Sequence, residues 1–249
     1  SRHDISDEKW AIIGPMLAKA GTETRGRKRK DDRLTFNAIL WIMKTGAPWR
    51  DLHPEFGPWN TVHKRFLEWA RLEVWNDILR MLSINADPEA IIIDATFIKL
   101  PSMVPAQKGA FNQKVGRSKG GLTTKVHAVV DALGNPLRIH LTAGNVNDIV
   151  PACDLIEGLL ADKLLADRAY DANKLLALAE RQNHEVVIPP VPGRLVQREY
   201  DIHAYKERHL VECFFAKLKS FRRVATRYDK LAITFKATVM LAACLVWLQ

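Results

Sequence analysis

The chain has 249 residues, 47% hydrophobic and 26% charged, with 37 Lys and Arg against 28 Asp and Glu, a formal net charge of +9. That length can bury a real core in one large or two modest domains, and that apolar content excludes a disordered protein. The positive balance favours an anionic partner, nucleic acid first, while three widely spaced cysteines, Cys153, Cys213 and Cys244, suggest neither a disulfide framework nor a zinc site.

Residues 1–88 hold six of the seven tryptophans and show no strand pattern, so they read as a separate helical domain. Ser6 can cap a first helix whose Trp10, Ile13 and Leu17 share a face. Residues 22–33 carry six cations, among them Arg27, Lys28 and Arg29. They form either a solvated linker or an arm that contacts phosphates. A helix is predicted over 34–44, stopping at Gly46. Pro58 opens another, with Val62, Phe66 and Trp69 inward and Asn60, His63, Lys64 and Arg65 outward. Two helices joined through a Gly/Pro-containing turn, the second basic, resemble a helix-turn-helix. A last helix over 73–83 leads to a break at Asp87-Pro88.

The run Ile-Ile-Ile-Asp-Ala-Thr-Phe-Ile-Lys from Ile91 reads as a buried strand interrupted by Asp94, a carboxylate that is costly there without a partner. Residues 101–121 form a loop bearing Lys108, Lys114, Arg117 and Lys119. Two strands over 125–131 and 136–142 join through a turn at Leu133-Gly134-Asn135. A helix over 149–160, a strand over 164–167 ending at Asp167, a helix over 172–183 and a strand over 186–189 follow. His127 and His140 sit in strand patterns and read as structural. The segment 231–248, interrupted by Lys236, reads as a core helix rather than a membrane span. No signal peptide is recognisable.

Residues 205–219 lack Gly and Pro and have helical apolar spacing. At about 100° per residue, Tyr205, Arg208, Glu212 and Lys219 fall within an arc roughly 60° wide, beside an apolar stripe of Val211, Phe214, Leu218 and Phe221. Alone, such a face is an ordinary solvated surface. Two further carboxylates at strand positions, Asp94 and Asp167, give it company, and carboxylates at strand ends of an α/β sheet sit where ligands bind.

An Asp on a first strand, an Asp after a later strand and a Glu on a following helix resemble the DDE triad of RNase H-like polynucleotidyl transferases. The Tyr205, Arg208, Glu212, Lys219 spacing is similar to the Tyr-Arg-Glu-Lys signature of a group of bacterial insertion-sequence transposases. Thr-Gly-Ala-Pro-Trp-Arg-Asp-Leu at 45–52, Phe-Gly-Pro-Trp-Asn-Thr-Val at 56–62, Gly-Leu-Thr-Thr-Lys-Val-His at 121–127 and Arg-Arg-Val-Ala-Thr-Arg-Tyr-Asp-Lys at 222–230 resemble its insertion-sequence-five branch. The likeness runs from near residue 5 to near residue 245.

The resemblance implies an α/β fold, an RNase H-like mixed five-stranded sheet flanked by helices over 89–249, after a helix-turn-helix-like domain over 1–88. It implies a Mg²⁺-dependent DNA transposase and endonuclease that binds terminal inverted repeats, cleaves the ends and joins their 3′-hydroxyls to target DNA. Asp94, Asp167 and Glu212 would hold two Mg²⁺ ions, with Mn²⁺ an expected substitute, because hard cations prefer oxygen ligands. Asp148 and Asp171 compete with Asp167 for the second position. Tyr205, Arg208, Lys219, Lys119, Lys125, Arg222, Arg223 and Arg227 would touch DNA near the site, while Arg27 to Arg29, Asn60, His63, Lys64 and Arg65 would do so from the N-terminal domain. A homodimer on DNA, no membrane and a cytoplasmic, nucleoid location are expected. The rival readings are a domesticated, non-catalytic DNA-binding regulator and an RNase H-like structure-specific nuclease.

Overall fold

A computed structural model describes residues 3–20, 31–101, 113–195 and 197–249. The chain divides into two compact units, Ser1–Met81 with Leu218–Gln249, and Leu82–Lys217. The segment from 218, grouped with the sheet in the sequence reading, thus clusters with the N-terminal helices.

In the first unit, Ser6 Oγ accepts from Lys9 N–H at 3.4 Å and starts α1 (Asp7–Lys19), which buries Ile13 and Leu17. Asp31 caps α2 (Asp32–Thr45), and Gly46 ends it with φ +73°, a left-handed conformation that glycine adopts without strain. Residues 46–58 contain two 3-10 turns, Trp49–Asp51 and Pro54–Phe56, so the link to α3 (Trp59–Arg71) is longer than the roughly three- to four-residue turn of a simple helix-turn-helix. Val62, Phe66 and Trp69 of α3 are buried, and Trp69 meets Trp75 of α4 (Val74–Leu82) edge-on at 5.8 Å.

The second unit is built on a mixed sheet, six-stranded among the described residues, in the order β2-β3-β1-β5-β6 with β4 also on β3. Its strands are β1 (Ala90–Lys99), β2 (Gly116–Ser118), β3 (Gly121–Asp131), β4 (Pro136–Ala143), β5 (Lys163–Leu165) and β6 (Glu185–Val187). β1 is antiparallel to β3 and parallel to β5, which is parallel to β6. The expected five strands become six because residues 116–118 fold back on 121–123 as a short hairpin within the segment read as a loop.

Short helices pack on both the antiparallel and the parallel strands of this sheet. α5 (Ala152–Ile156) is shorter than the predicted 149–160, since Pro151 stands at its N-cap and Gly158 takes φ +71° just beyond it. α6 (Asn173–Arg181) follows β5, and α7 (Ile202–Tyr205) leads through a 3-10 turn, Lys206–Arg208, into α8 (His209–Lys219). The uninterrupted helix predicted over 205–219 is therefore tightened at its start, with the backbone of Tyr205, Lys206 and His209 still right-handed helical.

The chain returns to the first unit with α9 (Arg222–Ala225) and α10 (Ala232–Trp247). α10 is buried nearly all round, as expected of an apolar core helix, and its Lys236 reaches Glu73 at 2.9 Å. Among the described residues no helix is long and apolar enough to cross a membrane.

Candidate active site

The residues around Asp94 mark where β1 leaves the core. Ala90 to Ile93 are buried, whereas Asp94 to Thr96 are half-buried. Ile92 of β1 pairs with Leu165 of β5. Two residues further along these parallel strands come Asp94 and Asp167, so the register carries both to the same carboxyl-end edge of the sheet, where α/β folds place ligands. Asp167 is not in the strand. It caps the 3-10 turn Arg168–Tyr170, accepting from Ala169 N–H at 2.8 Å.

Glu212 arrives from α8. One oxygen of Asp94 accepts from the Ala95 N–H at 2.7 Å, and the other from Arg208 Nη1 at 2.8 Å. The Nη2 of the same guanidinium donates to Glu212 Oε1, the i,i+4 contact that a shared helical face allows. Two carboxylates distant in sequence therefore grip one cation. The Asp94 side chain is 18% exposed and that of Glu212 is 56% exposed.

Burial pushes the Asp94 carboxyl up to about 6; the Ala95 N–H and the Arg208 guanidinium act against this, and the charges of Asp167 and Asp148 add to it. Arg208 is lowered by burial, but Asp94 and Glu212 outweigh that and raise it. The Tyr170 hydroxyl, buried and without a hydrogen-bond partner, is held protonated by burial and by the charges of Asp148, Asp94 and Asp167. Sequence reasoning missed Tyr170, since a Tyr three residues after an Asp carries no signal of burial.

Of the two competitors for the second carboxylate position, Asp171 is occupied. It accepts from Val191 N–H and Arg194 Nε, both at 2.7 Å, and from Arg198 at 3.2 Å. Burial would raise it, but these donors prevail and its pKa is lowered. Asp148 lies within electrostatic reach of Asp94 and pairs with Lys125 Nζ at 2.8 Å.

Lys125 is a departure from expectation. It is buried on β3, bonded to Val146 O at 2.7 Å and set over the Phe97 ring at 4.9 Å. Its charge is spent on Asp148 rather than displayed. His127, likewise buried, shares a 2.7 Å hydrogen bond with Thr142 Oγ1, and burial brings its pKa down to about 4. His127 is thus neutral and structural at ordinary pH.

The second basic cluster divides. Arg222 and Lys230 are exposed, but Arg223 is buried with Asp229 at 3.1 Å, between the Trp49 and Tyr228 rings. Arg227 is 0% exposed, bonded to the carbonyls of Asp229 and Lys230 and stacked on Phe235 at 5.1 Å. Both turn into the helical unit because each finds acceptors and an aromatic face there. Lys219 and Lys119 are exposed, and Tyr205 is half-buried against Tyr200. On α3, Asn60 and Lys64 are exposed, while His63 packs on Trp49 at 4.8 Å and Arg65 pairs with Asp32 and Glu68. Arg27, Lys28 and Arg29 lie outside the described residues.

Among the described residues no three acidic, His or Cys side chains yet converge to hold a metal ion. The donor chemistry nonetheless fits Mg²⁺. Asp94, Asp167 and Glu212 offer only hard oxygens, and Asp94 and Glu212 already share one cation.

Residues 85–247 match a family model described as "Transposase DDE domain". The chain belongs to the DDE transposase family. Residues 5–79 of this transposase match a second model, "Putative transposase of IS4/5 family". A protein of Brucella ovis, "Putative transposase for insertion sequence element IS6501", is 44% identical over 130 residues, 51% of this chain and all of that protein. One of Burkholderia cepacia, "Putative transposase for insertion sequence element IS402", is 34% identical over 136 residues, 49% of this chain and 62% of that protein. "Uncharacterized protein y4sN" of Sinorhizobium fredii is 28% identical over 118 residues, 47% of this chain and 94% of that protein. The transposase has the RNase H-like mixed sheet and flanking helices expected of its family.

Proposed function

We propose that this DNA transposase recognises the terminal inverted repeats of its own insertion sequence, cuts the ends and joins the freed 3′-hydroxyls to target DNA. Asp94, Asp167 and Glu212 hold the divalent ions, Mg²⁺ or Mn²⁺. The observation that carries this is the convergence of Asp94 and Glu212 on Arg208, with Asp167 close enough to raise Asp94 electrostatically. Phosphodiester cleavage requires charge stabilisation on attacking and leaving oxygens, and divalent ions on these carboxylates would supply it without a covalent enzyme intermediate.

The side chains of the chain perform the rest. Asp94 is fixed by its strand and by the Ala95 N–H, so one of its oxygens has a defined direction. Arg208 offers its planar fork to a phosphate, for which guanidinium geometry is suited, and Lys219, at the end of α8, follows on the same helical face about three turns later. The exposed Asn60 and Lys64 of α3, with the basic segment Arg27 to Arg29, read and hold the repeat ends. The N-terminal helices act as the DNA-reading part and the sheet unit, Leu82–Lys217, as the catalytic one. Lys119 and Arg222 supply phosphate contacts, and two ends handled together call for at least two copies on DNA in the nucleoid.

The test is cleavage and joining of terminal-repeat DNA in Mg²⁺. Asp94→Asn, Asp167→Asn and Glu212→Gln should each lower the rate about 10²–10³-fold, as loss of a charge-stabilising group does, while keeping DNA affinity. Undiminished cleavage by any of them contradicts the assignment. Cleavage without joining of pre-cut ends would indicate a nuclease instead, and binding without metal-dependent cleavage a regulator.

A further inference from the structure

The cation between Asp94 and Glu212 belongs to the chain itself. Arg208 gives Nη1 to Asp94 at 2.8 Å and Nη2 to Glu212. Its fork is rigid and serves two acceptors at once. A divalent ion on the same oxygens needs the same lone pairs, and two cations crowded onto them repel each other.

We infer that Arg208 is a built-in counterion that closes the carboxylate site in the metal-free protein, and that metal entry displaces its guanidinium, freeing it for a DNA phosphate. This rests on the metal site proposed above. The local backbone suits the exchange. Asp94 is anchored on a sheet strand, and its bond from the Ala95 N–H uses the oxygen that Arg208 does not touch. Arg208 closes a tightened 3-10 turn between α7 and α8, a kind of irregularity common at hinges. Its side chain is 22% exposed, so it has a way out to solvent. Because one side chain serves either the carboxylates or the phosphate, metal and DNA each strengthen the binding of the other, and the coupling is reciprocal.

The experiment is Mg²⁺ binding to the full chain without DNA, by isothermal titration calorimetry at pH 8, for wild type, Arg208→Met, Arg208→Lys and Asp94→Asn. Removing the competitor should tighten Mg²⁺ binding by about tenfold in Arg208→Met, within the usual range of such couplings. Arg208→Lys keeps the charge but cannot fork over two carboxylates, so it should tighten binding by a smaller factor. If Arg208→Met does not fold, the Lys variant decides alone. In ¹⁵N-arginine-labelled protein, the Nε–H signal missing from the Arg208→Lys spectrum should shift when Mg²⁺ is added to wild type. Equal or weaker Mg²⁺ affinity in the folded Arg208 variants, with Asp94→Asn still losing it, overturns the counterion role and leaves the metal site standing. Undiminished Mg²⁺ binding by Asp94→Asn overturns the metal site, and this inference with it.

Discussion

Replacing Arg208 with Gln in metal-free protein should reveal how strongly it supports Asp94, and the support should depend on pH in a calculable way. A charge-assisted hydrogen bond contributes about 1.5–3 kcal/mol, and the Arg208–Asp94 contact is short and mostly desolvated, at 2.8 Å with side chains 22% and 18% exposed. Protonation limits the loss, because neutral Asp94 does not need the guanidinium. With its carboxyl near 6, protonating Asp94 costs about 1.4 kcal/mol at pH 7 and about 3.4 kcal/mol at pH 8.5, at about 1.36 kcal/mol per unit. Coupling between Arg208→Gln and Asp94→Asn should therefore be near zero at pH 5, at most about 1.4 kcal/mol at pH 7, and about 1.5–3 kcal/mol at pH 8.5. The more exposed Arg208–Glu212 contact is present in both arms of the cycle and cancels.

The readout must come from the sheet unit. All seven tryptophans lie at 10, 41, 49, 59, 69, 75 and 247, within the helical unit. Tryptophan fluorescence therefore reports on that unit and not on the sheet. Hydrogen exchange of the β1 amides in EDTA, corrected for intrinsic rate at each pH, gives the free energy of opening in the four proteins. A coupling that is flat with pH, or below about 0.3 kcal/mol at pH 8.5, would mean that Arg208 does not stabilise the ionised Asp94.

Three further outcomes are expected. Asp94 has a folded pKa raised above its ordinary 3.8, so the folded state binds the proton more tightly than the unfolded one and loses stability as pH rises from about 4 through 6. Asp94→Asn should thus be more stable than wild type at pH 8 in EDTA, by up to about 3 kcal/mol, with the difference vanishing below pH 4 in urea melts followed by circular dichroism. Arg223→Ala strands buried Asp229 and should cost about 3–5 kcal/mol, whereas Arg222→Ala should leave stability within about 0.5 kcal/mol and flatten the salt dependence of DNA binding by about one unit of slope. Thermal melts and binding titrations across salt separate the two, and equal effects would contradict the inward placement of Arg223. A Cβ at Gly144 would lie 1.9 Å from Thr123 Oγ1. Gly144→Ala should therefore cost about 1–3 kcal/mol, part of it recovered by adding Thr123→Ala in the same melt; no recovery would mean that the contact is not the cause.

Much of the site was readable because its cues are local. Asp94 stood out because apolar β-branched residues flank it, and Glu212 because steps of three, four and seven fix a helical face whatever the tertiary setting. The parallel register of β1 and β5 then brings Asp167 level with Asp94, a relation no local pattern contains. What escaped is also long-range or very short. Lys125 finds Asp148 across a chain reversal, and Arg223 and Arg227 find acceptors and rings inside the helical unit. Basic residues in sequence read as surface until such partners are seen. Residues 116–118 are too few to show alternation. The 3-10 tightening at Lys206–Arg208 leaves no trace in a sequence of good helix formers.

Diffraction at the manganese edge from crystals soaked in Mn²⁺ decides whether the three carboxylates hold a divalent ion. Anomalous density should be bounded by the side chains of Asp94, Asp167 and Glu212, with the Arg208 guanidinium moved off them. Mn²⁺ bound only elsewhere, with Arg208 still bridging Asp94 and Glu212 at saturating metal, would contradict it.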